Sequence, residues 1–153
     1  MEDIGQLLKE HPFLEGMDAK HIALLSDLSR KEHFESGNRI FREGEPAERM
    51  YLIISGKVAL EVFNLDQGSI PIQSIGPAEV LGWSWLVPPY RWRFDAKAVQ
   101  PTDAITIDAK GLLALCEKHT DLGFELMKRM AVIVEQRLNA TKEQLLDAYV
   151  FRK

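Results

Sequence analysis

Hydrophobic positions along this chain change period twice. Between Asp3 and Ser29 they follow a helical repeat, with Ile22, Leu25 and Leu28 at three-residue spacing after Asp18, a residue suited to an N-cap. His11-Pro12 divides this zone into two short helices, because proline cannot donate the helical hydrogen bond. From Lys31 to Asp108 the pattern shortens into β-branched and aromatic runs: "NRIF", "RMYLIISG", "VALEVF", "IPIQSI", "FDAKAVQ" and "DAITID". Turn residues separate them at Ser36-Gly37, Glu43-Gly44-Glu45-Pro46, Ser55-Gly56, 64–68 and Gly76-Pro77. Many short strands at such spacing predict an antiparallel sandwich or barrel.

From Ala109 the helical period returns. Asp108 is placed to cap a helix reaching Lys118, and Thr120 a longer one reaching about Tyr149. At 1.5 Å per residue the second helix would span roughly 45 Å, beyond the barrel beside it. Met127, Met130, Val134, Leu138, Thr141, Leu145 and Tyr149 form a stripe at spacings of three and four. Such a stripe serves either packing on the chain's own barrel or a seam with a second copy. The length of the helix favours the seam, hence a homodimer through the C-terminal helix. The expected organisation is a single domain over 1–153, with N-terminal helices at 1–30, a β unit at 31–108 and C-terminal helices at 109–153.

Composition narrows the function classes. The 153 residues carry a net charge of −4 and no basic run, which disfavours direct DNA binding, since phosphate contacts need clustered Lys and Arg. One cysteine, Cys116, rules out an internal disulfide and a cysteine-based zinc cage. No apolar run approaches the ~20 residues of a membrane span, and the N-terminus lacks a leader pattern, so a cytoplasmic location and no membrane partner are expected. His11, His21, His33 and His119 are scattered without metal or triad spacing. HExxH, GxSxG and Walker loops are missing, and enzyme activity is not expected.

The candidate chemistry is concentrated in "GWSWLVPPYRWRFDA", residues 82–96, which holds all three tryptophans around Arg91 and Arg93. For the arginines, exposed pairing with Asp95 or Glu79 and an anion clamp are both open. For the tryptophans, the alternatives are core filling, an aromatic wall for an apolar or planar ligand, and an exposed aromatic patch for a protein partner.

One segment carries a resemblance. "SGNRIFREGEPAERMYLIISGKVAL", residues 36–60, is similar to the opening of cyclic nucleotide-binding domains: Gly37, Ile40-Phe41, Glu43-Gly44-Glu45, Met50-Tyr51-Ile53 and Ser55-Gly56-Lys57-Val58 match the family's order. The resemblance implies a mainly β fold with flanking helices: a double-stranded β-helix (jelly roll) of about eight antiparallel strands, short helices before it and a long C-terminal helix. It also implies a phosphate-binding cassette at the tryptophan-rich stretch, with ligand-contact candidates Leu81, Gly82, Trp83, Ser84, Trp85, Arg91, Trp92 and Arg93, and Thr141 on the helix side.

This cassette departs from the family pattern. Trp83 stands where a ribose-binding glutamate belongs, and counting back by two from Phe94, Ala96 and Ala98 puts Trp92 at the phosphate-pairing position. A bulge after Pro88-Pro89 would bring Arg91 or Arg93 inward instead. The expectation is a stand-alone regulatory module that senses a small ligand other than ordinary cyclic AMP and signals through its long helix to a downstream protein. The alternative is a protein–protein interaction module with a degenerate site. No cofactor is required; the ligand is a cyclic nucleotide or another small anionic or planar molecule. The helix-turn-helix that follows the long helix in the family's transcription regulators is not expected, because the sequence stops at Lys153.

Overall fold

The computed structural model describes residues 3–151. Two antiparallel sheets face each other, and helices cover one of them. Strands β1 (Ser29–Phe34), β2 (Arg39–Phe41), β3 (Arg49–Ser55), β4 (Val58–Asn64), β5 (Gly68–Ile75), β6 (Asp95–Ala98) and β7 (Thr102–Asp108) are ordered β1-β7-β3 in one sheet and β2-β6-β4-β5 in the other. Helices α1 (Ile4–Glu10) and α2 (Ala19–Ser26) precede them, and α3 (Ala109–Lys118) and α4 (Thr120–Phe151) follow. Among the described residues there are seven strands rather than eight. Residues 76–94 contribute only isolated bridges, Leu52 to Val80 and Pro46 to Arg91, and the three prolines in this stretch have no N–H to donate.

Burial separates the sheets. In β2-β6-β4-β5 burial alternates on β6, where Ala96 and Ala98 point inward between half-buried Asp95 and Lys97, as a half-solvated sheet requires. In β1-β7-β3 it does not: Met50, Tyr51, Leu52 and Ile53 are consecutive and all buried, as are Ala104, Ile105, Thr106 and Ile107. One face of this sheet lines the roll. Helices α1, α2 and α3 pack on the other and contribute Leu8, Ile22, Leu25 and Leu112 to the same core. Strand β1, "SRKEHF", is too polar to stand out by hydrophobicity, and pairs with β7 at the sheet edge from Ser29–Ile107 to Phe34–Thr102. Gly56 makes the β3–β4 turn at φ +98, and an added Cβ would lie 2.4 Å from the Pro101 carbonyl oxygen.

Capping follows the local chemistry. Asp18 accepts from the Lys20 N–H at 2.8 Å and Asp108 from the Gly111 N–H at 2.7 Å. Thr120 is the first residue of α4 rather than its cap. Helix α4 is 32 residues long, about 48 Å at the standard rise. Its N-terminal half buries Leu122, Leu126 and Met130. It is tied to the N-terminal helices by His21 Nε2 to Asp121 Oδ2 at 3.1 Å and by Arg129 Nη1 donating to Phe13 O at 2.7 Å. The stripe expected along this helix divides. Met127 and Met130 pack inward, whereas Val134, Leu138, Leu145 and Tyr149 are exposed, because the barrel-facing line runs through Leu126, Met130, Ile133 and Arg137. No helix among the described residues is long and apolar enough to cross a membrane.

His11 joins the first turn to the sheet. Its Nδ1 accepts from the Phe13 N–H at 3.2 Å, which leaves the proton on Nε2 to be donated to Ile53 O at 2.9 Å. Burial pushes this imidazole below its ordinary pKa of 6.5, although the Ile53 bond opposes that shift. The stability it contributes is therefore complete above pH 6.5 and declines as the pH falls through its lowered folded value. His33 has the opposite sign. Asp103 Oδ1 lies 2.7 Å from its Nδ1 and raises its pKa, so its contribution is present below 6.5 and lost as the pH rises through the raised value. In urea denaturation between pH 7.5 and 5 (about one unit either side of the ordinary imidazole value), His11→Gln is expected to lower stability overall and flatten its acid decline. His33→Gln should leave that acid decline in place.

Candidate functional site

The tryptophan-rich stretch is held by the turn opposite it. The Trp92 carbonyl accepts from the Gly44 N–H at 2.8 Å, the Trp92 N–H donates to Glu45 O at 2.9 Å, and the Ala47 N–H donates to Tyr90 O at 2.7 Å. Asp95 holds the same turn from β6, accepting from the Glu43 N–H at 2.8 Å and from Arg39 Nη1 at 2.9 Å. These main-chain bonds set the register of residues 90–92. Alternation then turns Trp92 inward and its two neighbours outward.

Trp92 is 4% exposed. Its ring stacks on Phe41 at 3.8 Å between centroids and 5° between planes, with Tyr51 6.1 Å away. The same indole lies on Gly82: a Cβ added there would be 3.1 Å from the ring. Arg91 is exposed, and its Nη1 donates to Gly44 O at 2.8 Å; Arg93 is exposed as well. The segment thus brings Leu81, Gly82 and Trp92 together in the interior and leaves both arginines outside. Burial among these rings pushes the Tyr51 phenol up to about 12.

The other tryptophans divide between core and rim. A 3-10 turn, Ser84–Leu86, places Trp85 wholly in the interior, where its Nε1 donates to Gly82 O at 3.2 Å. Trp83 is half-buried, with Arg137 of α4 over its ring, Cζ 5.8 Å from the centroid. Ser84 is half-buried beside it. An exposed aromatic patch of Trp83, Trp85, Tyr90 and Trp92 is therefore not formed. Only Tyr90 is exposed, at 43%, because Trp85 and Trp92 are buried and Trp83 is half-buried beneath Arg137.

A hollow of about 260 Å³ lies between α4 and the segment entering the cassette, lined among others by Gln73, Glu79, Val80, Arg137, Ala140 and Gln144. Polar contacts close its edges. Gln73 Nε2 donates to Thr141 Oγ1 at 3.2 Å, Thr141 Oγ1 donates to Arg137 O at 2.9 Å, and Gln144 Nε2 donates to Ile72 O at 2.8 Å. Arg137 Nη2 donates to Val80 O. Burial lowers the pKa of this guanidinium and nearby Glu79 opposes the shift; an arginine keeps its charge even so. Thr141 thus touches β5 rather than the cassette. Arg137 and Gln73 belong to no sequence motif. The available signal was a charged residue continuing the Leu126, Met130, Ile133 line at helical spacing.

Comparison with known proteins adds a family frame. A family model described as cyclic nucleotide-binding domain matches residues 31–119. A CRP-like cAMP-activated global transcriptional regulator of Mycobacterium tuberculosis is 25% identical over 144 residues, 94% of this chain and 62% of that protein. The chain thus spans less than two thirds of that relative's length. Glutaminase 2 of Bradyrhizobium diazoefficiens is 26% identical over 144 residues, 93% of this chain but 22% of that protein. Among solved structures, a putative cyclic nucleotide-binding protein from Geobacter metallireducens superposes with a TM-score of 0.79 at 25% identity, covering 90% of this chain and 99% of that one.

The packing of the stretch separates its residues energetically. Trp92→Ala is expected to cost about 3–5 kcal/mol, the range for removing a large buried aromatic. Arg91→Ala and Arg93→Ala should each stay within about 1 kcal/mol, as exposed substitutions do. Urea unfolding of the three variants checks this ordering.

Proposed function

Because the chain belongs to the cyclic nucleotide-binding domain family, we propose that it is a regulatory module that senses a small ligand other than cyclic AMP held in the family's usual way, and that it reports through α4. The observation that carries this reading is Trp92, whose ring occupies the position at which the resemblance expects a phosphate-pairing arginine while Arg91 and Arg93 face outward. Trp83 in turn offers no carboxylate to a ribose hydroxyl. Similarity to a protein named as a transcriptional regulator supports the regulatory role.

The ligand is a small anionic or planar molecule, or a cyclic nucleotide held by altered contacts through Leu81–Trp85 and residues 91–93. Its free energy reaches α4 because the helix crosses the cassette lead-in through Arg137, and a ligand whose contacts differ between two helix positions shifts their populations. The distal helix carries Leu138 at 68%, Leu145 at 69%, Leu146 at 51% and Val150 at 63% exposure. That apolar face supports a homodimer, read in turn by a downstream protein; neither DNA nor membrane is a direct partner, and the site of action is the cytoplasm. A second reading, an interaction module with a degenerate site, is favoured by Val87 and Tyr90, exposed at 49% and 43% on either side of the two prolines.

Isothermal titration with cyclic AMP and cyclic GMP should give no saturable heat that depends on Arg91 or Arg93. Saturable heat in the wild type that is lost in Arg91→Ala or Arg93→Ala would overturn the reading. For the helix, sedimentation velocity at micromolar concentration should report a dimer and Leu138→Glu a monomer. A wild-type monomer would refute the seam.

A further inference from the structure

A second hollow, of about 280 Å³, lies beside the Trp92–Phe41 stack and is walled by β2, β3 and the turn between them. Trp92 is its one residue from the 76–94 stretch, and α4 contributes none. It is therefore neither the cassette nor the hollow under Arg137. Its inner wall is aromatic and almost closed to water, with Phe41, Tyr51 and Trp92 exposed by 5%, 7% and 4%.

Its rim is acidic. Glu45 and Glu48 are exposed, and neither has an ion pair among the described residues. Glu45 Oε1 accepts from the Arg42 N–H at 2.7 Å, which leaves its second oxygen to an incoming donor. Arg49, the one cation of the lining, is already engaged by Glu32 at 2.6 Å.

The Tyr51 hydroxyl points independently to an occupant. The residue is more than nine-tenths buried, yet its hydroxyl makes no hydrogen bond to any described residue. The charges that act on it are those of Arg49, Glu32, Glu45 and Glu48, so its polar end lies toward the rim of the hollow rather than the core. A buried hydroxyl without a partner costs free energy that a ligand would restore. Burial keeps the phenol protonated, and its oxygen retains lone pairs to accept with.

This donor and acceptor pattern selects the ligand. Two carboxylates without counterions repel an anion. A bare metal ion is not matched, since no group of three metal-ligating side chains converges among the described residues. A primary ammonium carries one positive charge and three N–H donors, one for each of the three acceptors, and aromatic neighbours favour the same charge. The volume lies just below the range of ordinary ligand sites and limits the attached carbon chain to a few atoms.

We propose that the hollow between the β2–β3 turn, Tyr51 and Trp92 binds a small primary alkylammonium ion, whose N–H groups meet Glu45, Glu48 and the Tyr51 hydroxyl and whose carbon chain rests on Ile40 and Pro46. The site stands whether or not the cassette takes a ligand, since the two share only Trp92.

The test follows the Trp92 indole N–H signal in nitrogen-15 spectra of the full chain, identified by its loss in Trp92→Phe. The titrants are n-butylammonium, tetramethylammonium, sodium and butyrate at pH 7 and constant ionic strength. Butylammonium should shift the signal saturably. Its apparent affinity should fall about tenfold in Glu48→Gln and about threefold in Tyr51→Phe, as expected when a charged and a neutral acceptor are lost. Glu48 is exposed and Tyr51→Phe keeps the ring packing, so either variant suffices if the other fails to fold. The proposal is overturned by a signal that butylammonium leaves unmoved, or that tetramethylammonium, which has no N–H, sodium or butyrate moves equally. Unchanged affinity in both variants overturns it as well.

Discussion

The stack of Trp92 on Phe41 is the contact on which the rest of this site depends. It requires residues 90–92 to pair with the turn at Glu43–Ala47, because only that register points the indole inward. It leaves little room for a side chain at position 82, where an added Cβ would lie 3.1 Å from the ring. By alternation it also sends Arg91 and Arg93 to solvent. Inward bulk and inward charge are thus mutually exclusive at this place in the fold. Here the chain places the ring inside and the two arginines outside.

Filling the roll transfers the polar work to its margin. With Trp85 and Trp92 buried, polar side chains gather where α4 passes the entrance to the cassette. Helix α4 accordingly has two regimes. Its first half is anchored by apolar burial at Leu122, Leu126 and Met130 and by the Arg129–Phe13 bond. Its second half meets β5 through side-chain amides, a hydroxyl and one guanidinium, with apolar residues facing away. Contacts of the second kind are individually weak and exchange readily with a ligand or with water, whereas buried packing does not. A helix fixed at one end and lightly held along the other suits a regulatory module.

Legibility in the sequence followed the range of the interactions. Turns, caps and strand runs depend on neighbours a few residues away, so the N-caps at Asp18 and Asp108, the break at His11-Pro12 and the α3 boundary at Lys118 were readable from local chemistry. The period-two pattern from Phe94 back to Trp92 anticipated which side chain faces inward, since the pleat permits no other alternation. Strand β1 was obscure because its pairing with β7, more than sixty residues away in sequence, rather than its own hydrophobicity, makes it a strand. The stripe on α4 was only half readable: spacing identifies a face but not the residue at which the barrel ends beneath it.

By itself, then, the sequence determined the mainly β roll between short and long helices, its family and the place of the tryptophan-rich stretch. These rest on turn glycines, capping side chains and periodicity, all encoded within short windows. Only the tertiary structure decided that the bulge after the prolines does not return an arginine to the interior, because that outcome depends on main-chain bonds between residues 90–92 and a turn some forty-five positions earlier. Only the tertiary structure, too, brought Arg137 over Trp83 and beside Val80. An unpaired charge becomes consequential when folding removes it from water, and no local pattern records where that happens.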